Sequence, residues 1–513
     1  ASGGDDCDDQ NPQIFPGATE LCDGVDNNCN GDIDDGLPPR ALWYLDQDRD
    51  GYGIASVSEL SCGAPSAAYA DQSGDCDDTR TEISPDSVEV CGDGEDQDCD
   101  PSSPRCRLLG PLDAFSAYRI LPGALNVGGD LSRRGDQILI GAANRGGPGS
   151  AYLLSVDDFD DVADAAELDD VAVRFRGDDP KGRFGMSSVS ADLDGDGNSQ
   201  VFVGAPGRDE VGMVYGFSDG IAPLQHLEDA ALRLTGDSEL GWFGAALSRL
   251  PLDDRDALLV GAPGWAAEMG AVYVYLNADD GPATTLMGDR LGGRLGSAIA
   301  EVGDVDGDGV SDVAVGAPGA AGQLLLISAA ELDGAMKVLV PETAAFATIF
   351  GDAPDAALGD VVAAPGDLNR DGYADVLVGA PGRNESTGAV ALLLGQADPG
   401  DREMSDADAL LLGIAAGDRA GAAVSGGVPL RPGGGPEIAI GAPGALAVYL
   451  IHDVPQGIQS LETASTVISG TYADGFGSAI TMLPDNPVNG EGLLLVGAPD
   501  RYGAVYFFLS PGE

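Results

Sequence analysis

Positive charge is the scarcest property of this chain: 26 Lys and Arg face 85 Asp and Glu over 513 residues, a formal charge of −59 at pH 7. Such a field repels phosphate backbones and anionic lipid surfaces, which argues against nucleic-acid partners. It also strains the compact state by self-repulsion, which bound cations relieve. Histidine is nearly absent. His226 and His452 are the two imidazoles, and neither lies near a Gly-x-Ser-x-Gly turn, so a histidine-based hydrolase finds little support. No apolar run reaches the roughly 18 residues of a membrane-spanning helix. Cysteine is missing after Cys106. All eight (Cys7, Cys22, Cys29, Cys62, Cys76, Cys91, Cys99, Cys106) lie in the N-terminal region, and an even, clustered set reads as a disulfide framework in an oxidising compartment, hence extracellular or cell-surface. That region has no histidine and its cysteines have reason to pair, so zinc or copper held by imidazole or thiolate is disfavoured. The opening ASGGDD lacks a basic stretch followed by an apolar one, so an exported chain has already lost its signal.

What the chain has in abundance is repetition. An apolar run ending in Gly-Ala-Pro or a near relative occurs seven times: LIGAAN at 139, FVGAPG at 202, LVGAPG at 259, AVGAPG at 314, LVGAPG at 377, AIGAPG at 439 and LVGAPD at 495. Their glycines lie 55 to 63 residues apart. Each unit reads as four short strands punctuated by Gly and Pro. In the fourth unit these are RLGSAIAEV, DVAVGAP, GQLLLIS and either MKVLV or ATIFG. A second cassette, such as FRGDDPKGRFG or LTGDSELGWFG, joins each unit to the next. The pattern predicts an all-β chain: a seven-bladed β-propeller over 107–513, which hides sheet edges by radial repetition. The last unit stops after its third strand, and LLGPLDAFS at 108 is a shortened copy of the cassette. Leu108 to Gly110 is therefore expected to close the ring. Residues 1–106 form a small loop-rich domain of two copies, CDDQNPQIFPGATELC at 7 and CDDTRTEISPDSVEVC at 76, held by disulfides and calcium because so small a core needs staples.

Acidic loops carry the chemistry. In DVDGDGVSD the first, third, fifth and ninth residues, Asp304, Asp306, Asp308 and Asp312, offer side-chain oxygens, Val310 offers its carbonyl, and Gly309 permits the sharp turn. DLNRDGYAD repeats this with Asp367, Asn369, Asp371, Tyr373 and Asp375, and DLDGDGNSQ with Asp192, Asp194, Asp196 and Asn198. Gln200 holds the ninth place there, where its amide is expected to donate an oxygen with less charge. Each loop starts twelve residues before the glycine of Gly-Ala-Pro, which predicts three calcium-closed hairpins between first and second strands. The other four units lack the full oxygen set. In the N-terminal region DNNCNGDID supplies Asp26, Asn28, Asn30, Asp32 and Asp34, DQDRDG supplies Asp46, Asp48 and Asp50, and DQDCDP supplies Asp96, Asp98 and Asp100 without the turn glycine.

The order Phe-Gly, acidic loop, Gly-Ala-Pro over 107–513 resembles the FG-GAP repeats of the integrin alpha-subunit propeller. Phe-Gly weakens to Leu-Gly at 295 and 358 and to Ala-Gly at 420. Residues 1–106 resemble the Cys- and Asp-rich metal-binding modules named after MopE, common in secreted bacterial proteins. The first resemblance implies calcium loops on the lower face and ligand recognition on the upper one, where Arg183, Arg208, Trp242, Trp265, Arg294, Arg383, Arg419 and Arg501 gather. The same loops hold Asp178, Asp237, Asp289 and Asp352, so loop salt bridges are the favoured reading of those arginines. The function expected is a secreted or cell-surface adhesion and recognition protein that binds a protein or glycan, or itself. A structural subunit of a surface layer or appendage comes second. A propeller-based hydrolase or lyase comes last, since no catalytic constellation stands out.

Overall fold

The computed structural model describes the chain from Cys7 to Leu509 except residues 9, 82, 86, 88–98, 100–109, 114–116, 118, 123–125, 135–136, 144–146, 156–167, 219–222, 278–280, 333–336, 432–433, 471–474, 485–491 and 501–502. Asp96, Asp98, Asp100, Arg501, Leu108, Cys91 and Cys106 thus lie outside the described residues. Two compact units divide the chain, Ala1–Arg107 and Leu108–Glu513.

The second unit is all-β, and among the described residues it holds seven sheets. The fourth shows the pattern. An inner strand, Ala298–Gly303, pairs antiparallel with Asp312–Ala317, then Gln323–Ser328, then an outer strand, Ala347–Phe350. The second strand is buried at every position, because neighbouring sheets cover both its faces. That is why it reads as a continuous apolar run instead of an alternation.

Five of the seven sheets have a fifth strand that the repeats did not reveal. Lys337–Leu339 (within MKVLV) leaves its own unit and pairs parallel with Thr284–Met287 of the preceding sheet, so ATIFG supplies the outer strand of the fourth. Leu224–His226, Arg402–Glu403 and Gly457–Ser460 do the same for their predecessors. Each covers an outer edge whose N–H and C=O groups would otherwise stand unpaired.

This fifth strand corrects the expected closure. Gly110 belongs to strand Gly110–Asp113, which pairs parallel with Thr466–Ser469 as the flanking strand of the sixth sheet. The last sheet is completed by Arg119–Pro122, antiparallel to Ala504–Leu509. The N-terminal segment supplies a flanking strand and then an outer strand, in the order every such unit follows. The cassette was matched to the flanking strand of a neighbour.

Glycine locks the ring. The Phe-Gly glycine donates its N–H to the carbonyl of the Gly-Ala-Pro glycine in its own sheet, as Gly244 does to Gly261 at 3.0 Å. The Gly-Ala-Pro glycine in turn abuts the next sheet: a Cβ on Gly204 would overlap the Gly244 carbonyl oxygen, and one on Gly497 would overlap that of Gly128. The last contact joins the seventh sheet to the first. The Phe-Gly aromatic packs on the third strand of its own sheet. Phe184 meets Tyr215 and Phe217, Phe243 meets Tyr273 and Tyr275, and Phe476 meets Tyr506 and Phe508, mostly edge to face. Where the sequence has Leu295 or Leu358, the third strand offers Leu325 and Ile327 or Ala391 and Leu393; Ala420 shares a cluster with Tyr449. The contact stays apolar while the motif drifts.

The first unit is built on hairpin Ala41–Leu45 with Tyr52–Ser61, flanked by Tyr69–Ala70 and Gln72–Ser73. Disulfides join Cys7 to Cys29, Cys22 to Cys62 and Cys76 to Cys99.

Candidate metal loops and the opposite face

Each acidic loop is a hairpin between an inner and a second strand, and its first carboxylate organises the turn. Asp304 accepts the N–H groups of Gly307 at 2.7 Å and Gly309 at 2.9 Å; Asp306 accepts Asp308 N–H and Asp308 accepts Val310 N–H. Asp312, fully buried, accepts Val305 N–H at 2.8 Å through Oδ2, and its Oδ1 has no hydrogen-bond partner. Burial pushes the Asp312 carboxyl up to about 7, aided by the charges of Asp306, Asp308 and Asp304 and opposed by the Val305 bond. An oxygen desolvated, unpaired and facing three carboxylates suits a hard cation. In the next blade Asp367 accepts Asp371 and Gly372 N–H, Asn369 accepts Asp371 N–H, and Asp371 accepts Tyr373 N–H. Buried Asp375 accepts Leu368 N–H at 2.7 Å and Gly395 N–H at 3.0 Å. The two loops touch: Ala374 N–H donates to the Asp304 carbonyl at 2.8 Å.

The loop at 192–200 departs from expectation. Asp192 still accepts Gly195 and Gly197 N–H, Asp194 accepts Asp196 N–H and Asp196 accepts Asn198 N–H. Leu193 N–H needs the acceptor that Val305 and Leu368 find in an aspartate, and it takes the carbamoyl oxygen of Gln200 at 2.8 Å. The amide nitrogen therefore faces the loop, donating to Asp194 Oδ1 and the Asn198 carbonyl, both at 3.0 Å. Gln200 presents donors where Asp312 presents a bare oxygen. Its oxygen, read from sequence as a cation ligand, accepts Leu193 N–H instead, while Asp192, Asp194 and Asp196 still bring oxygens within 4.8 Å of one another.

Two blades without the acidic set pair a buried carboxylate at the start of the second strand with arginine. Asp256 pairs with Arg249 at 3.3 Å, and fully buried Glu437 pairs with Arg431 at 2.5 Å. Burial still drives the Glu437 carboxyl up to about 7 against that guanidinium. His452, 3.9 Å from Glu437, is buried against Thr466 and pushed down by burial, while His226 caps a short 3-10 turn on the sheet edge.

In the first unit Asp26 accepts Asn30 and Gly31 N–H, and Asn30 accepts Asp32 N–H. Asp34 turns away to Gly24 N–H and Arg40, and Asn28 donates to Asp35. Glu20, unassigned from sequence, braces this loop through Asn28 and Asp34 N–H. Asp46, Asp48 and Asp50 do converge, and Asp75 and Asp78 approach Asp48. Burial raises the carboxyls of Asp48 and Asp75, the latter to about 6.

At the other end of the inner strands one backbone feature recurs. The residue before the Phe-Gly position has positive φ in all seven sheets: Asn126, Arg183, Trp242, Arg294, Ala357, Arg419 and Gly475, from +54° at Arg183 to +75° at Gly475. Several arginines here are paired, as the salt-bridge reading expected. Arg208 holds Asp178 and Asp209, Arg294 holds Glu268 at 2.7 Å, and Arg383 grips Asp352 with two bonds of 2.9 Å. The Arg294 guanidinium also lies 5.9 Å from the Trp242 ring centroid, and Trp265 packs half-buried on the core beneath. Burial raises the Asp360 carboxyl, and the charges of Arg419 and Arg294 oppose it only in part.

Comparison with known proteins finds matches over parts of the chain. The FG-GAP repeat model matches residues 298–327 and 360–393, the two repeats whose loops end in aspartate, and the Cu-binding MopE motif matches 6–35 and 75–103. Human integrin alpha-IIb is 31% identical over 227 residues, 40% of this chain and 20% of its own length. Integrin alpha-5 of Xenopus laevis is 34% identical over 149 residues (26% and 14%), and human phosphatidylinositol-glycan-specific phospholipase D 35% over 164 (28% and 19%). The chain thus spans a fifth or less of the length of these curated relatives. Among solved structures, the WD40 domain of Toxoplasma gondii coronin aligns with a TM-score of 0.46 at 11% identity, covering 77% of this chain and 88% of that one. The chain carries FG-GAP repeats behind N-terminal MopE motifs and is similar to integrin alpha subunits over part of its length.

Proposed function

We propose that the chain is a calcium-binding recognition protein of the extracellular space or cell surface. Its ring holds cations at Asp304–Asp312 and Asp367–Asp375 on one rim and binds a protein or glycan on the opposite face. The Asp192–Gln200 loop, whose three aspartates also converge, is left out because the Gln200 amide donates to Asp194 Oδ1 and the Asn198 carbonyl. The disulfides and the integrin relatives support the location.

One observation carries the recognition face. Seven equivalent backbone positions share a left-handed conformation that glycine and asparagine adopt at little cost, and two blades use them there. Four others spend Arg183, Trp242, Arg294 and Arg419 on it, at roughly 1 kcal/mol each. A ring of arginine and tryptophan on a chain with only 3 tryptophans is chemistry that interfaces use. The test is binding of the full chain to a printed glycan array and a panel of extracellular proteins, in calcium and in chelator. The variant R183A/W242A/R294A/R419A is expected to lose the signals that wild type gives, while E228A/E462A on the outer edge keeps them. Equal binding by both variants would remove this face from the account.

A further inference from the structure

We infer that the first unit contains a cation site formed by Asp48, Asp75 and Asp78, next to the Asp46–Asp50 loop and sharing Asp48 with it. Asp48 lies in the turn of the hairpin, whereas Asp75 and Asp78 open the second Cys-rich repeat. Ligand oxygens of the three lie within 4.8 Å of one another, as do those of Asp46, Asp48 and Asp50.

Proximity of acids alone would decide nothing; their wiring does. Asp75 and Asp78 are each only 5% exposed, and each spends one oxygen on a backbone N–H: Asp75 on Asp77 at 2.8 Å, Asp78 on Gln47 at 2.7 Å. The other oxygen of each is buried with no hydrogen-bond partner, and the same holds for Asp48 Oδ2 and Asp50 Oδ2. Every carboxylate of the Asp48, Asp75 and Asp78 cluster thus carries one desolvated oxygen without a donor, and Asp50, which groups with Asp48, carries another. Buried polar atoms are almost always paired, and buried acceptors gathered in one place without a donor suit a bound cation. Elsewhere this chain answers a buried carboxylate with arginine, as at Asp256 and Glu437. Here no guanidinium or ammonium bonds to the four oxygens. An all-carboxylate set without sulfur or imidazole selects a hard divalent ion of the calcium class.

Bound there, the ion fastens the second repeat to the hairpin, reinforcing the Gln47–Asp78 bond and the short parallel pairing of Tyr52–Gly53 with Gln72–Ser73. The site is independent of the ring, so its failure leaves the proposed function standing. The experiment uses the full chain with calcium as the probe. Native mass spectrometry should count one calcium fewer in D75N/D78N than in wild type, with the Cys76–Cys99 bond intact by peptide mass. D77N, a neighbouring charge loss at a half-buried residue that bonds Thr79, should leave the count unchanged. Should the double variant fail to form that disulfide, hydrogen exchange of wild type decides: the Gln47 amide should exchange about ten-fold more slowly in calcium than in chelator. An unchanged count in a folded double variant, or calcium-independent exchange at Gln47, would overturn the site.

Discussion

Replacing Asp312 with asparagine separates the cost of a buried carboxylate from the gain of a bound ion. Without metal, the Asp312 carboxyl titrates at about 7 in the fold against 3.8 in an open chain. Because the folded value is the higher one, this group favours the fold most below pH 3.8, and that contribution is lost as pH rises to about 7. At pH 8 the ionised side chain therefore costs about 4 kcal/mol, an upper figure because its loop partners share the titration. Asparagine carries no such cost, and its amide reproduces the Gln200 arrangement, with oxygen toward Val305 N–H and nitrogen toward the loop. Asp312→Asn in chelator should therefore melt higher than wild type at pH 8, by up to about 5 °C for a ring that unfolds as one body. Near pH 4 the difference should vanish. Calcium a thousand-fold above its dissociation constant adds about 4 kcal/mol per site to wild type. The variant should keep only the share owed to Asp367–Asp375. Calorimetry at the two pH values, with and without calcium at constant ionic strength, reads all four cases. A variant less stable than wild type in chelator at pH 8, or one with an undiminished calcium response, would refute the reasoning.

The converse change, Gln200→Asp, should add one calcium to the count by native mass spectrometry and lower the melting temperature in chelator, since it removes two donors from the loop. Arg431→Met strands a fully buried Glu437 and should cost about 3–5 kcal/mol, while the pair R431M/E437L should recover most of it, as denaturant melts would show. Removing residues 1–107 should leave a cooperatively melting ring. Removing 1–122 takes away the strand that completes the last sheet, and light scattering should report aggregation through the exposed edge.

The seven-fold repeat, the hairpin position of the acidic loops and the Phe-Gly and Gly-Ala-Pro glycines were legible because they are local and periodic. What escaped depends on partners far apart in the chain. The flanking strands hydrogen-bond only to the neighbouring sheet, so nothing in Lys337–Leu339 itself says that it leaves its unit. A signal was available in the turn that follows such strands, HLEDAAL, EMSDADA and SLETAST, whose leucine or methionine is buried. Gln200 was misjudged because a side-chain amide has two ends, and only the Leu193 N–H decides which one faces the loop. Asp75 and Asp78 were invisible as ligands because they stand more than twenty residues from Asp48 and lack its alternating spacing. Arg249 and Arg431 as stand-ins for a cation likewise required the fold. The loop at Asp26 kept its turn but lost Asp34 to Gly24 and Arg40, a competition that spacing does not record.

The central claim, that the chain decides blade by blade between an ion and a side-chain substitute, is tested most directly by a crystal structure grown in calcium with anomalous data collected at long wavelength. The account predicts calcium peaks within Asp304–Asp312 and Asp367–Asp375 and none within Asp192–Gln200. A peak coordinated by Gln200, or bare loops at both of the other positions, would contradict it.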